Sequence, residues 1–180
     1  MNKIPKPAPG EYPQWYEHYF SQLADKDALQ LLEEQLSELE EMLQAVSDEQ
    51  AALAYAPGKW TLKELLVHML DTERIMAYRA LAISRGEAAA LPGFDENSYA
   101  EQSQANERIF SEILEEYRLQ RLSNLALFRS FSEEMLNRKG HANGQDVTVK
   151  AIIYVVAAHE RHHLNIFKER YLKAVSEGVA

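Results

Sequence analysis

The sequence predicts an all-α fold, a four-helix bundle with one long crossover connection. Apolar residues recur at spacings of three and four over four long segments, which is the period of a helix burying one stripe. Turn-forming clusters separate the segments, and one connection, residues 86–104, is far longer than a tight turn needs. No alternating apolar and polar run persists, so no strand is expected. Four amphipathic helices with one long connection match a known way of closing a bundle.

Residues 1–10 hold three of the six prolines and read as an extended arm. Tyr12, Trp15, Tyr16, Tyr19 and Phe20 then suggest one or two helical turns laid over the bundle. The first long helix is expected from about Asp27 to Val46, with Leu29, Leu32, Leu36, Leu39 and Leu43 on its buried stripe. Glu33, Glu34, Glu38, Glu40 and Glu41 fill its solvated faces. Pro57-Gly58 breaks the chain, and Thr61 with Glu64 has the form of a capping box opening a second helix. That helix should stop at Arg85-Gly86. The 86–104 connection is expected to hold one short helix after Asp95. Phe110, Leu114, Tyr117, Leu125 and Phe128 predict a third helix over about Asn106–Glu134. Residues 137–147 carry turn chemistry, and a fourth helix runs from near Thr148 to near Leu172 before the last residues fray.

With 180 residues, the chain fits a single domain over 1–180 with a sizeable core. Its hydrophobic share of 46% and charged share of 26% place it among globular proteins. The net charge of −9, without any Lys/Arg-rich run, argues against nucleic-acid partners and anionic membrane surfaces. No apolar run approaches the ~20 residues that span a bilayer. The chain has no cysteine, which removes disulfides, a Cys nucleophile and Cys-based zinc sites, and suits a reducing cytoplasm. The N-terminus lacks the apolar core of a signal peptide, so a cytoplasmic location is expected.

The chemistry concentrates in His159-Glu160-Arg161-His162-His163. Ile152, Val156, His159, His163 and Ile166 follow helical steps, so two imidazoles stand one above the other on the buried face. A buried imidazole requires a hydrogen-bond partner or a metal. A pair of core histidines bonded to carbonyls or carboxylates would satisfy that requirement. Two histidines at i,i+4 with a third on a facing helix, His68, would instead make a three-imidazole site for a divalent metal (Zn, Ni or Fe) with a coordination position left open. His162 is the rival to His163, being i+3 from His159, and otherwise a proton carrier or an exposed neighbour. His18 and His141 read as surface residues. Asp71, Glu73 and Glu160 are the nearest carboxylates, and each reads first as a surface salt bridge. Arg79 could bind an anionic substrate group or pair with the Glu-rich first helix. Trp60, Tyr78 and the 86–104 connection could line a pocket or simply pack.

These residues resemble the DinB/YfiT-like four-helix-bundle metalloproteins. The matching stretches are residues 56–61, His68 to Arg74, Tyr78 to Leu81, Leu91 to Asp95, and His159 to His163. The resemblance implies that His68, His159 and His163 hold a divalent metal and that the protein is a homodimer acting on a small-molecule substrate. Ala158 departs from the glycine that many relatives place before the first histidine of the last helix, a change a helix tolerates. The better-understood members are transferases and isomerases using a low-molecular-weight thiol: bacillithiol, mycothiol or glutathione. The leading expectation is therefore a metal-dependent transferase joining such a thiol to an electrophile. A metal favours the thiolate, and a chain without cysteine must take its sulfur nucleophile from the thiol cosubstrate. A metal-dependent hydrolase and a non-enzymatic, stress-related metal-binding bundle are the alternatives. The last of these would require a closed coordination sphere or the absence of an adjoining pocket.

Overall fold

A computed structural model describes residues 3–172. The arm does not hang free. Ile4 is buried, its carbonyl accepts from Ala28 N at 3.0 Å, and its amide donates to the Asp27 carboxylate. After a 3-10 turn at Gln14–Tyr16, the aromatic segment forms the short α1, Glu17–Phe20. Asp27, its side chain accepting from Leu29 N, opens α2, Ala28–Leu43. A one-turn α3, Asp48–Ala51, follows. α4, Leu62–Ser84, starts at the expected capping box: Thr61 Oγ1 accepts from Glu64 N at 3.1 Å and Glu64 Oε2 accepts from Thr61 N at 2.7 Å. It ends at Arg85-Gly86, as expected. The crossover contains α5, Glu96–Gln102, capped by Asp95.

α6, Phe110–Arg129, is shorter than the 106–134 span expected. Asp48 Oδ1 accepts from Phe110 N at 2.8 Å, so the start of α6 is capped from another element, which no local pattern announces. At the other end Ser132 takes over as an N-cap and opens a separate α7, Glu133–Asn137, because a short hydroxyl side chain competes for backbone amides. The expectation of no strand is corrected at residues 139–148. Lys139–Ala142 (β1) and Gln145–Thr148 (β2) pair antiparallel, Ala142 opposite Gln145. Asn143 and Gly144 both take positive φ, 52° and 73°, the conformation a two-residue hairpin loop requires. The strands escaped notice because each has four residues, too few for an alternation to register. α8, Val149–Ile166, is capped by Thr148 and continues as a π turn over Phe167–Tyr171. The reading of the last few residues lies outside the described residues.

α2, α4, α6 and α8 form the bundle, with α4 packed on α8 and α6, and α2 packed on both α6 and α8. Their buried apolar residues fall into two clusters. Along α2 the change from one to the other comes between Leu32 and Leu36, along α4 between Leu70 and Ala77, and along α8 between Ala158 and Leu164. Gln35, Glu73, His159 and Glu160 stand at those breaks. A polar layer therefore crosses the bundle at one level, and the histidines belong to it. No helix among the described residues is long and apolar enough to cross a membrane.

Candidate metal centre

The α8 stripe directs His159 and His163 toward α4, where His68 meets them. His68 Nε2 lies 3.0 Å from His159 Nε2, and His163 Nε2 also lies 3.0 Å from His159 Nε2. One ring nitrogen from each residue falls within 4.8 Å of the other two. Two nitrogens each about 2.0–2.1 Å from one ion stand roughly 3.0–3.4 Å apart, so the spacing fits nitrogen donors sharing a cation. Protons fit worse. A neutral imidazole has one donor and one acceptor nitrogen, and His159 Nε2 faces two partners at once. His163 Nδ1 is also buried and without a hydrogen-bond partner.

His68 and His163 are buried and His159 is half-buried. Burial pushes His68 down to about 4 and His159 to about 3, the neighbouring histidines adding to the effect on His159. Burial likewise holds His163 well below its ordinary value. The three rings are thus neutral near pH 7, the form that ligates metals. The Trp60 ring packs on His68 with centroids 4.8 Å apart. His162 stands outside the cluster: its ring meets Tyr19 edge-on at 5.4 Å and lines the adjoining cavity. His18 is exposed, and His141 pairs with Asp146 on the exposed hairpin, 2.9 Å apart.

Two of the three carboxylates read as surface salt bridges are not on the surface. Asp71 does pair with Arg74, at 3.6 Å. Glu73 and Glu160, at 3% and 2% exposure, instead flank the fully buried Arg121 of α6. Arg121 Nε and Nη2 reach the two oxygens of Glu73 at 2.9 and 2.8 Å, and Nη1 lies 2.6 Å from Glu160 Oε2. Tyr117 donates to Glu160 Oε1 at 2.8 Å and accepts from Arg121, Asn124 donates to Glu73, and the Leu32 carbonyl takes another Arg121 proton. Burial raises Glu160, an effect Arg121 only partly offsets. Burial would lower Arg121, but the two carboxylates hold it well above its ordinary range. Sequence reasoning passed over Arg121. The available signal was Glu73 and Glu160 falling on otherwise apolar stripes, where a buried acid needs a buried base.

The histidines open on a cavity of about 280 Å³. Trp15, Tyr16, Tyr19, Trp60 and Phe94 form aromatic walls, and Arg79, Asn143 and Glu96 supply polar groups. Of the two readings left open for Trp60, Tyr78 and the crossover, pocket lining holds for Trp60, Phe94 and Glu96, whereas Tyr78 is 59% exposed and lies away from the cavity. Arg79 does not pair with the first long helix; it is buried at the cavity and donates to the Pro92 carbonyl at 2.6 Å. Among the described residues no fourth histidine or carboxylate joins the cluster. The centre has three nitrogen donors on one side and a cavity on the other.

Comparison with known proteins agrees with this architecture. The family model of the DinB superfamily matches residues 31–167, well over half of the chain. A protein of Oceanobacillus iheyensis, provisionally named a metal-dependent hydrolase, is 26% identical over 137 residues, covering 76% of this chain and 79% of its own. YfiT from Bacillus subtilis, described as a probable metal-dependent hydrolase with an unusual four-helix bundle topology, superposes with a TM-score of 0.74 at 19% identity, over 97% of this chain and 94% of its own. A mycothiol-dependent maleylpyruvate isomerase superposes with a TM-score of 0.65 at 15% identity, over 81% of this chain and 61% of its own.

Proposed function

This chain belongs to the DinB superfamily, and on that premise we propose that it is a metal-dependent enzyme in which His68, His159 and His163 hold a divalent cation and a low-molecular-weight thiol is joined to an electrophilic small molecule. The observation that carries this reading is the one-sided centre, three converging ring nitrogens facing a cavity of about 280 Å³. A closed structural site would surround the ion with protein ligands. Bound there, the cation supplies positive charge that lowers the pKa of a donor group entering from the cavity.

The protein's own part is to hold that arrangement. Burial keeps the three imidazoles neutral, Trp60 packs against His68, and the Arg121 network ties α4, α6 and α8 together behind His159 and Glu160. The same network bears on the nucleophile. Glu160 follows the first histidine of α8 in sequence, yet it is turned to Arg121 and Tyr117. Among the described residues, the one carboxylate lining the cavity is the exposed Glu96. Water ordinarily benefits from a carboxylate base beside the metal, whereas a thiol, with an unperturbed pKa of about 8.5, loses its proton with less help. The isomerase neighbour is itself thiol-dependent, which supports the same choice.

Hydrolysis is the second reading, supported by the descriptions of the Oceanobacillus and Bacillus proteins. One assay separates the two. The metal-loaded protein is given 1-chloro-2,4-dinitrobenzene with bacillithiol, mycothiol or glutathione, and p-nitrophenyl acetate without thiol. Thiol-dependent turnover of the first, abolished in His163→Ala, supports conjugation. Metal-dependent cleavage of the ester alone favours hydrolysis and sinks the transfer reading.

A further inference from the structure

Arg79 is only 4% exposed, yet it lacks what a buried guanidinium ordinarily has. It carries five N–H donors and a permanent charge. Among the described residues its acceptors are the Pro92 carbonyl, 2.6 Å from Nη2, and the weakly accepting Met76 sulfur, 3.6 Å from Nη1. Arg121, which is fully buried, has two carboxylates, a carbonyl and a tyrosine hydroxyl. Removing a cation from water without a counter-charge is costly, so a site that does so is built for an anion. Glu96, the sole carboxylate lining the same cavity among the described residues, is exposed and forms no ion pair with Arg79.

The surrounding backbone is arranged to present that charge. Leu91 N donates to the His141 carbonyl at 2.9 Å and Asn143 N donates to the Leu91 carbonyl at 3.0 Å, so the crossover is stitched to the hairpin. This joint places the Pro92 carbonyl on Arg79 and brings the Asn143 amide to the same cavity. Asn143 lies directly over Gly93, where an added Cβ would come 2.2 Å from Oδ1. Tyr16 and Phe94 line the same cavity as Arg79 and the histidines.

We propose that the cavity takes a substrate with a carboxylate at one end, seated on Arg79 with Asn143 beside it, and its reactive end toward the histidines. Only the placement of the reactive end rests on the metal reading above. The competing account makes Arg79 a clamp for the crossover through Pro92 and nothing more.

Both tryptophans of the chain, Trp15 and Trp60, line the cavity, so intrinsic fluorescence reports its occupancy. The full-length protein, as purified and after EDTA treatment, is titrated with benzoate and phenylacetate beside their uncharged amides. Both acids should bind at least tenfold more tightly than the amides, with or without metal. Arg79→Gln should erase that preference while circular dichroism stays unchanged. If Arg79→Gln does not fold, Arg79→Lys carries the test, and its preference should fall severalfold because an ammonium cannot make the paired contacts. No preference for acid over amide in the native protein, a preference that vanishes with the metal, or one that survives intact in the Arg79 variants overturns the proposal. His163→Ala should keep the preference, so failure of the metal reading and failure of this one are distinguishable.

Discussion

His68 and His159 are 91 residues apart in the chain, yet their Nε2 atoms stand 3.0 Å from each other. The contact joins the second turn of α4 to the polar break in α8, and His163 completes it from the next turn. Without a cation between them, His159 Nε2 has one proton or one lone pair to offer and satisfies only one of its two neighbours.

Metal content follows directly. The wild-type protein should carry about one divalent ion per chain by elemental analysis, and His68→Ala, His159→Ala and His163→Ala should each lose it while remaining helical. At free metal near a thousand times Kd, the ion should add about 4 kcal/mol of stability. For a chain of this size that is a rise in Tm of roughly 8–16 °C. Stoichiometric metal retained in any of the three variants would remove that residue from the ligand set.

Acid should destabilise the metal-free protein through the same residues. Burial lowers His68 from an ordinary 6.5 to about 4 and His159 to about 3, so between those values and 6.5 the unfolded chain binds more protons than the folded one. Stability is therefore fully present above pH 6.5 and declines as pH falls toward 4 and then 3. His68 alone accounts for a loss on the order of 3 kcal/mol. Urea unfolding of the EDTA-treated protein between pH 7 and 4 should show this slope, and His68→Gln should flatten it.

Arg121 should matter more to stability than any residue of the site itself. Arg121→Ala leaves Glu73 and Glu160 buried without a counter-charge and should cost about 3–5 kcal/mol in urea unfolding. Adding Glu73→Gln should recover part of that loss, because one orphaned charge is removed. A loss below about 1 kcal/mol would show that the layer tolerates two uncompensated acids.

Gly140 is held to glycine by packing. An added Cβ would stand 2.5 Å from Cγ1 of the buried Ile83. Gly140→Ala should therefore destabilise the protein by about 1–3 kcal/mol, the range for an overpacked core. Ile83→Val in the same chain should relieve part of it, a coupling that a double-mutant cycle measures.

The sequence by itself determined the helices, because each long one announces itself locally. The α2 stripe, the Thr61 and Glu64 capping box and the Arg85-Gly86 stop depend only on residues a few positions apart. The i,i+4 spacing of His159 and His163 is equally local, which is why the strongest half of the centre could be read before any fold was known. What tertiary structure alone decided are the meetings between distant segments. Asp48 caps α6 from the distant segment α3, the hairpin is stabilised by its bridge to Leu91, and Glu73 and Glu160 turn inward because Arg121 waits on a third helix. A polar residue on an apolar stripe carries no mark of its partner. Whether it faces water, a counter-charge or a ligand is set by the charge that packing brings opposite it, and for Arg79 packing brought a cavity.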